Sequence, residues 1–550
     1  MQDNLQLTIH VPVPVVQQAG PSLEKCLALN LPIYQQITYE DIVTSVSSTP
    51  RITYAIMDRM KLWPRLTFRD FLLLLGTTLV YFATRLYHLT SLPIFVDEAI
   101  YSRWAQIALH DPSWRFISLT DGKQPLFIWV AMPFLHFIQD PLFATRAVSV
   151  MCGWFTILGL FYAGYLLKDK RTGYLAAILG ILTPFLFFYD RFATMESMLT
   201  AAGIWVFILA WIFAQKHRLD VAMILGIAGG LAWLVKSPAE IYLLLIPVAF
   251  IFLKHEKLTT REIVKYIALL LLAWGMAEVI YNIQRLSPWM YMITRKNSDF
   301  VISPMTMIKD HPFRIWQNFA DTQRWLLAYM TWPLYGLSIV GGFVLLKESW
   351  RKFMVVSAWF WGPMAALVLT AWLYRPRYVV FIVPFMLLYA AHAIPKQLKL
   401  SVVIFLLLAI LPIRFMFLAY TAPFTMPLVQ ADKDYIDGWA AGNGVKEIAS
   451  YLSSQSGQGK SIIVGTEGTF GLLPHGLELY LYGTPNVAIT GYYPVNEIPP
   501  KAMLGQVTPD NEVYFILNNT QVTTTPADLT EVLAFKKADN SYIRLYRLHP

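Results

Sequence analysis

The side chains best placed to do chemistry in this sequence are acids and bases scattered among long apolar runs. Asp97 and Glu98 are adjacent in Val96-Asp97-Glu98-Ala99-Ile100-Tyr101-Ser102-Arg103-Trp104-Ala105. If that segment is helical, Asp97 and Tyr101 share a face, while Glu98 turns about 100° away and joins Ser102. Adjacent acids on a helix do not form the facing pair of a glycosidase, so at most one aims directly at a reacting atom. Spacing alone favours a plainer reading over catalysis, an acidic pair stabilised by the dipole at a helix start. Lys123 lies in Asp121-Gly122-Lys123-Gln124-Pro125-Leu126, just ahead of a proline-started apolar run. Its ammonium can hold a phosphate or snorkel to headgroups. Tyr189-Asp190-Arg191-Phe192-Ala193-Thr194-Met195-Glu196 sets Arg191 where it can grip phosphate through two parallel hydrogen bonds, or merely pair with Asp190 or Glu196. Lys236 sits in Val235-Lys236-Ser237-Pro238. Two guanidinium groups flank a proline in Tyr374-Arg375-Pro376-Arg377-Tyr378, the strongest pointer in the chain to an anionic ligand.

The elements that position these residues are transmembrane helices. Of 550 residues, 56% are hydrophobic and only 14% charged, against about a quarter charged in a typical soluble domain. That balance excludes a single large soluble globule, a disordered chain and a fibre. A bilayer core needs roughly 20 apolar residues per helix. Such stretches lie near 69–89, 144–167, 173–189, 195–215, 220–235, 238–253, 263–284, 325–346, 353–373, 377–394 and 398–420. A further run, 125–139, is barely long enough and reads as a partial or re-entrant helix. With eleven spans and the N-terminus in the cytoplasm, the inner loops carry Lys168-Asp169-Lys170-Arg171, Lys216-His217-Arg218, Lys254 with Lys257, Arg261 and Lys265, Lys347 with Arg351 and Lys352, and Lys396 with Lys399. All are basic, as the positive-inside rule requires. The net charge of +9 is thus accounted for by loops, with no call for nucleic acid.

The expected organisation is mainly α and polytopic, with about 11–13 membrane helices. Residues 1–65 form a cytoplasmic segment and 66–424 the membrane domain. Outer loops are expected at 90–124, bearing an amphipathic interfacial helix with a wet face, and at 285–324. Residues 425–550 carry more acids than bases and read as a small extracytoplasmic α/β domain. It should hold a helix at 444–454 and strands near 461–465, 486–490, 512–517 and 541–547.

In this topology Asp97, Glu98, Lys123, Asp190, Arg191, Glu196, Lys236, Arg375 and Arg377 all fall on the outer side. A charge near a helix centre costs about 2.5–3.5 kcal/mol on insertion scales, so a one-sided set calls for a function. Transfer of a sugar from a polyprenyl phosphate fits. The leaving phosphate needs its growing charge stabilised by cations, and the acceptor hydroxyl needs one carboxylate as base. A transporter or flippase of lipid-linked sugars is the alternative, but such folds tend to show internal repeats with sites at midplane. A surface-polysaccharide polymerase or ligase would be a chemical relative of the first reading. Two cysteines, Cys26 and Cys152, exclude a disulfide framework, and His110, His136 and His311 lack metal-ligand spacing.

The run Asp97-Glu98-x-x-Tyr101, the Lys123-Gln124-Pro125-Leu126 segment, Arg191 through Glu196, and Val235-Lys236-Ser237-Pro238 together resemble the dolichyl-phosphate-mannose protein mannosyltransferase superfamily. The likeness is greatest to its bacterial branch, which includes the lipid A aminoarabinose transferases. Arg375-Pro376-Arg377-Tyr378 is similar to that family's late Arg-Tyr motif, and the resemblance covers roughly 69–395. It implies a GT-C fold and a cell-envelope glycosyltransferase that takes a polyprenyl-phosphate sugar donor and a lipid, glycan or protein acceptor. By residue, it implies Asp97 as base with Glu98 in support, and Lys123, Arg191 and Arg377 around the lipid phosphate. Lys236 and Arg375 fall in matching segments, with Tyr101, Glu196 and Tyr378 in support. No cofactor is required; a divalent metal rests on the acid pair and family analogy alone. Gln124 in place of the commoner proline, and Glu196 in place of aspartate, depart from the family pattern and leave the donor sugar undefined.

Overall fold

The computed structural model describes residues 64–253, 259–457, 460–495, 497–518 and 529–549. All but the end of the 1–65 segment, together with Lys254 and Lys257, lies outside the described residues.

Each apolar stretch folds as helix. In chain order these are α1 (Phe68–Leu86), α2 (Val96–His110), α3 (Leu126–Phe137), α4 (Pro141–Leu167), α5 (Lys170–Leu182), α6 (Pro184–Tyr189), α7 (Met195–Lys216), α8 (Leu219–Val235), α9 (Glu240–Leu253), α10 (Thr260–Tyr281), α11 (Met292–Phe300), α12 (Pro304–Asp310), α13 (Pro312–Met330), α14 (Trp332–Glu348), α15 (Trp350–Thr370), α16 (Val383–Ala393) and α17 (Leu398–Thr421). Six of the described helices are long and apolar enough to cross a bilayer, and α3, α8 and the 237–253 segment are shorter apolar helices. The chain is a multi-pass membrane protein. The stretch 325–346, expected as one span, is broken. Thr331 takes φ +67, Pro333 follows in the first turn, and α13 and α14 meet at 110°. A proline tolerated in a helix's first turn cannot continue the preceding one, hence the break. Elsewhere helices meet closely: a Cβ on Gly164 of α4 would stand 2.8 Å from the Gly173 Cα of α5, so small residues let the two backbones touch.

The connections separate into two ends of the bundle. At one end Lys170 pairs with Asp70 at 2.7 Å, Lys168 with Glu348 at 3.1 Å, and Lys352 Nζ donates to the Leu167 carbonyl at 2.6 Å. Arg171 reaches the Ile394 carbonyl at 3.0 Å. The loops around 168–171, 347–352 and 394–396 therefore lie together with the start of α1. At the other end Arg191 meets the last carbonyls of α1, and Asp140 pairs with Lys446 of the tail. The segment α3 begins beside Lys123 and finishes before Asp140, so it starts and ends at this second end.

The tail contributes β2 (Ala441–Gly442), α18 (Val445–Ser456), β3 (Ser461–Glu467), α19 (Leu472–Tyr480), β4 (Val487–Tyr492), α20 (Lys501–Leu504), β5 (Asn511–Leu517), β6 (Leu529–Lys536) and β7 (Tyr542–Leu548). Its five-stranded sheet runs β4-β3-β5-β7-β6, with β3 parallel to both neighbours and β7 antiparallel to both of its own. All four expected strands are present, and β6 and α19 are additions to the expected plan. A short strand β1 (Ile94–Phe95) pairs antiparallel with β2, Ile94 opposite Gly442 and Phe95 opposite Ala441. The expected wet face of α2 is covered. Arg103 pairs with Glu478 of α19 at 3.2 Å, Gln106 donates to the Leu479 carbonyl at 3.2 Å, and ten of its residues are buried. The sequence pattern of α2 reads as interfacial because the polar groups that meet it come from the far end of the chain.

Candidate functional site

The site begins where β1 turns into α2. Phe95 is the N-cap residue, and its N–H donates to Glu98 Oε2 at 3.0 Å. Glu98 is fully buried and opposite Arg146 of α4, whose Nε and Nη2 donate to its two oxygens at 2.8 and 2.7 Å. The Ala193 N–H takes the same Oε1 at 2.6 Å. Arg146 spends its remaining donors on the carbonyls of Leu89, Leu92 and Pro93 at 2.8–3.0 Å. Each Glu98 oxygen thus accepts two hydrogen bonds inside the protein and faces no open space. What Glu98 does in this structure is fix the entry to α2.

One residue earlier, the helix turn carries Asp97 to the other side. Its carboxylate accepts from Arg377 Nη1, and the two side chains keep roughly a fifth of their surface exposed. The Arg377 guanidinium lies over Tyr378 at 5.3 Å and Phe95 at 5.8 Å. Lys123 reaches the same place from the loop before α3, its ammonium 4.8 Å from the Phe300 ring centre. Burial holds that ammonium below its ordinary value, Asp97 acts to raise it, and Lys236 and Arg377 press it lower. Lys236 follows the last turn of α8 and pairs with Glu196 of α7 at 2.7 Å, its ammonium 4.7 Å from the Tyr378 ring. Tyr101, on the Asp97 face as expected, is buried against Trp104 and Phe127. Burial raises its phenol, with Asp97 the next cause. Asp97, Tyr101, Lys123, Glu196, Lys236, Arg377 and Tyr378 therefore converge.

Two expected members stand elsewhere. Arg191 is fully buried and spends its guanidinium on the end of α1, donating to the carbonyls of Arg85 and Tyr87 at 2.8 Å and His88 at 2.6 Å. It pairs with neither Asp190 nor Glu196; it satisfies orphan carbonyls at a helix C-terminus, where a cation also meets the dipole. Asp190 instead meets Arg85, Tyr81 and Ser197. Arg375 turns to the tail, pairing with Asp434 at 3.4 Å and donating to the Ala431 carbonyl at 3.2 Å.

The outer loop 285–324 borders the cluster. Asn297 and Gln124 both donate to Ser237 Oγ, at 3.1 and 2.6 Å, and Lys296 pairs with Asp121 at 2.8 Å. Gly122 makes this contact feasible: at φ +66, a Cβ would run into the Met292 carbonyl and the Lys296 side chain.

Sequence reasoning passed over Arg146, Asp432 and Tyr435. Arg146 lies in the first turns of a long apolar helix, so a buried cation there was a signal that went unread. Asp432 accepts from the hydroxyls of Tyr189 and Tyr329, both at 2.7 Å, and burial pushes its carboxyl up to about 6. The tail residues carried no such mark. Among the described residues no three His, Cys, Asp or Glu side chains gather into a group able to hold a metal ion, and the acid pair on which one would rest diverges.

The model of a family described as dolichyl-phosphate-mannose-protein mannosyltransferase matches residues 122–281. Among solved structures, ArnT from Cupriavidus metallidurans aligns in the apo state with a TM-score of 0.54 at 12% identity, over 86% of this chain and 97% of that one. The same protein bound to undecaprenyl phosphate aligns with a TM-score of 0.55 at the same identity and coverage. The Archaeoglobus fulgidus oligosaccharyltransferase aligns with a TM-score of 0.42 at 13% identity, over 74% of this chain and 61% of that one. No curated protein matches in sequence. The chain has the GT-C fold.

Proposed function

We propose that this protein is a membrane glycosyltransferase that moves a sugar from a polyprenyl-phosphate donor to an acceptor hydroxyl on a lipid, glycan or protein. The observation that carries the reading is the meeting of one accessible carboxylate, Asp97, with Arg377, Lys123 and Lys236. A partial match to a mannosyltransferase family and the likeness to a fold seen with undecaprenyl phosphate agree with it.

In this reading Arg377 exchanges Asp97 for the donor phosphate, with Lys123 and Lys236 beside it. Asp97 then takes the proton of the acceptor hydroxyl as its oxygen attacks the anomeric carbon. The carbon–oxygen bond to phosphate breaks, the electron pair leaves with the polyprenyl phosphate, and the cations stabilise it. A single displacement inverts the anomeric centre. Glu98 serves by holding the turn that aims Asp97. The reaction is read at the extracytoplasmic face, with residues 425–550 on that side and the N-terminus in the cytoplasm.

The test is incubation of the purified protein with a panel of prenyl-phosphate sugars. Asp97→Asn is expected to abolish transfer while undecaprenyl phosphate still binds; near-normal turnover in that variant overturns the assignment of the base.

A further inference from the structure

The tail supplies a wall of the Asp97 site that the proposed reaction leaves unused. Between α17 and β2 the chain forms a tight helical turn at Gln430–Tyr435, and several bonds pin it. Asp432 is held between the Tyr189 and Tyr329 hydroxyls, the Val429 N–H donates to Tyr329 Oη at 3.2 Å, and Arg375 holds the Ala431 carbonyl. So fixed, Tyr435 lays its ring on Phe95, centroids 4.1 Å and planes 23° apart, and against Phe192 at 4.6 Å. Phe95 is the N-cap residue of α2, two positions before Asp97, and its ring also lies within 5.8 Å of the Arg377 guanidinium.

Two polar atoms here are buried with no partner: Tyr435 Oη and Arg377 Nε. Tyr435 is 3% exposed. The charges acting on its phenol are Arg377 first, then Asp432, Glu196 and Asp97. Buried donors and acceptors are almost always satisfied, so two neighbouring orphans on one wall point to a second arrangement in which they are.

We propose that Tyr435 is a positioning residue whose hydroxyl accepts a hydrogen bond from Arg377 Nε when a lipid-linked phosphate draws the guanidinium away from Asp97. Arg377 Nη1, now on Asp97, passes to the phosphate, and the turn of the guanidinium brings Nε–H to Tyr435. The exchange leaves Arg377 bonded on both sides and Asp97 unpaired to receive a proton. The C-terminal segment is then a working part of the site. This inference rests on the reading of the cluster as a prenyl-phosphate site.

The experiment is titration of the full chain in nanodiscs with undecaprenyl phosphate, with undecaprenol as the phosphate-free control, followed by native mass spectrometry. Tyr435→Phe keeps the ring stack and loses only the hydroxyl; its affinity should fall about ten- to a hundredfold, the range of a hydrogen bond to a charged group, with an unchanged melting temperature. In an Arg377→Lys background, which has no Nε–H, Tyr435→Phe should cost nothing further. Wild-type affinity in Tyr435→Phe, or the same loss in both backgrounds, overturns the inference. A wild-type protein that binds undecaprenol as well as its phosphate overturns the donor reading itself, before any variant is made.

Discussion

Glu98→Gln separates a residue that frames the site from one that does chemistry. In the folded protein each Glu98 oxygen accepts from two donors: Arg146 Nε and the Ala193 N–H on one, Arg146 Nη2 and the Phe95 N–H on the other. Glutamine has one carbonyl oxygen, so its amide nitrogen must face two donors whichever way it turns. The fully buried Arg146 guanidinium also loses its counter-charge. Breaking a buried pair in this way costs about 3–5 kcal/mol. Thermal unfolding of the purified protein in detergent should therefore show a marked fall in midpoint. The double variant Glu98→Leu with Arg146→Met removes both charges and should recover part of that loss, though not all, because the Phe95 and Ala193 N–H groups and the carbonyls of 89–93 are left unpaired. A Glu98→Gln protein that melts like wild type yet has lost turnover would refute this reasoning and return Glu98 to the chemistry.

Three further outcomes are expected. The Asp432 carboxyl is raised from 3.8 to about 6 in the fold, so the folded state holds the proton more tightly than the unfolded one. Its contribution to stability is complete below about pH 4 and lost as pH rises through about 6; Asp432→Asn should flatten the melting midpoint over that window, and an unchanged slope would count against a raised carboxyl. Gly122→Val forces a side chain into the Met292 carbonyl at a left-handed φ, costing about 1–3 kcal/mol of strain and loosening the 292–300 helix from the site; undecaprenyl phosphate affinity should drop, and an unaffected variant would sever that link. A cysteine at Lys168, whose side chain is 30% exposed at the end opposite Asp97, should label from the cytoplasm, and labelling from outside would invert the orientation.

The bundle was legible because apolar runs of bilayer length have few other uses. All eleven stretches are helical, but two conceal a break just ahead of a proline, 173–189 at Thr183 and 325–346 at Thr331. Asp97, Lys123, Lys236 and Arg377 were legible as charges out of place. Arg191 looked the same in sequence, yet it spends its donors on backbone carbonyls of α1. Motif spacing cannot separate a cation that waits for a ligand from one that caps a helix, since both are arginines beside a membrane. Glu98 and Asp97 were correctly read as diverging, but the partner that claims Glu98 lies on α4 and was invisible in its own segment. Tyr435 went unmarked because its meaning comes entirely from Phe95 and Arg377, far away in the chain.

The pairing of Ile94 with Gly442 and Phe95 with Ala441 has a consequence for biogenesis. A nascent chain emerging at the insertion machinery must thread every membrane helix before the second half of this ribbon exists. Until then the turn ahead of Asp97 lacks its backbone mate, so the surroundings of Asp97 are completed only late in synthesis.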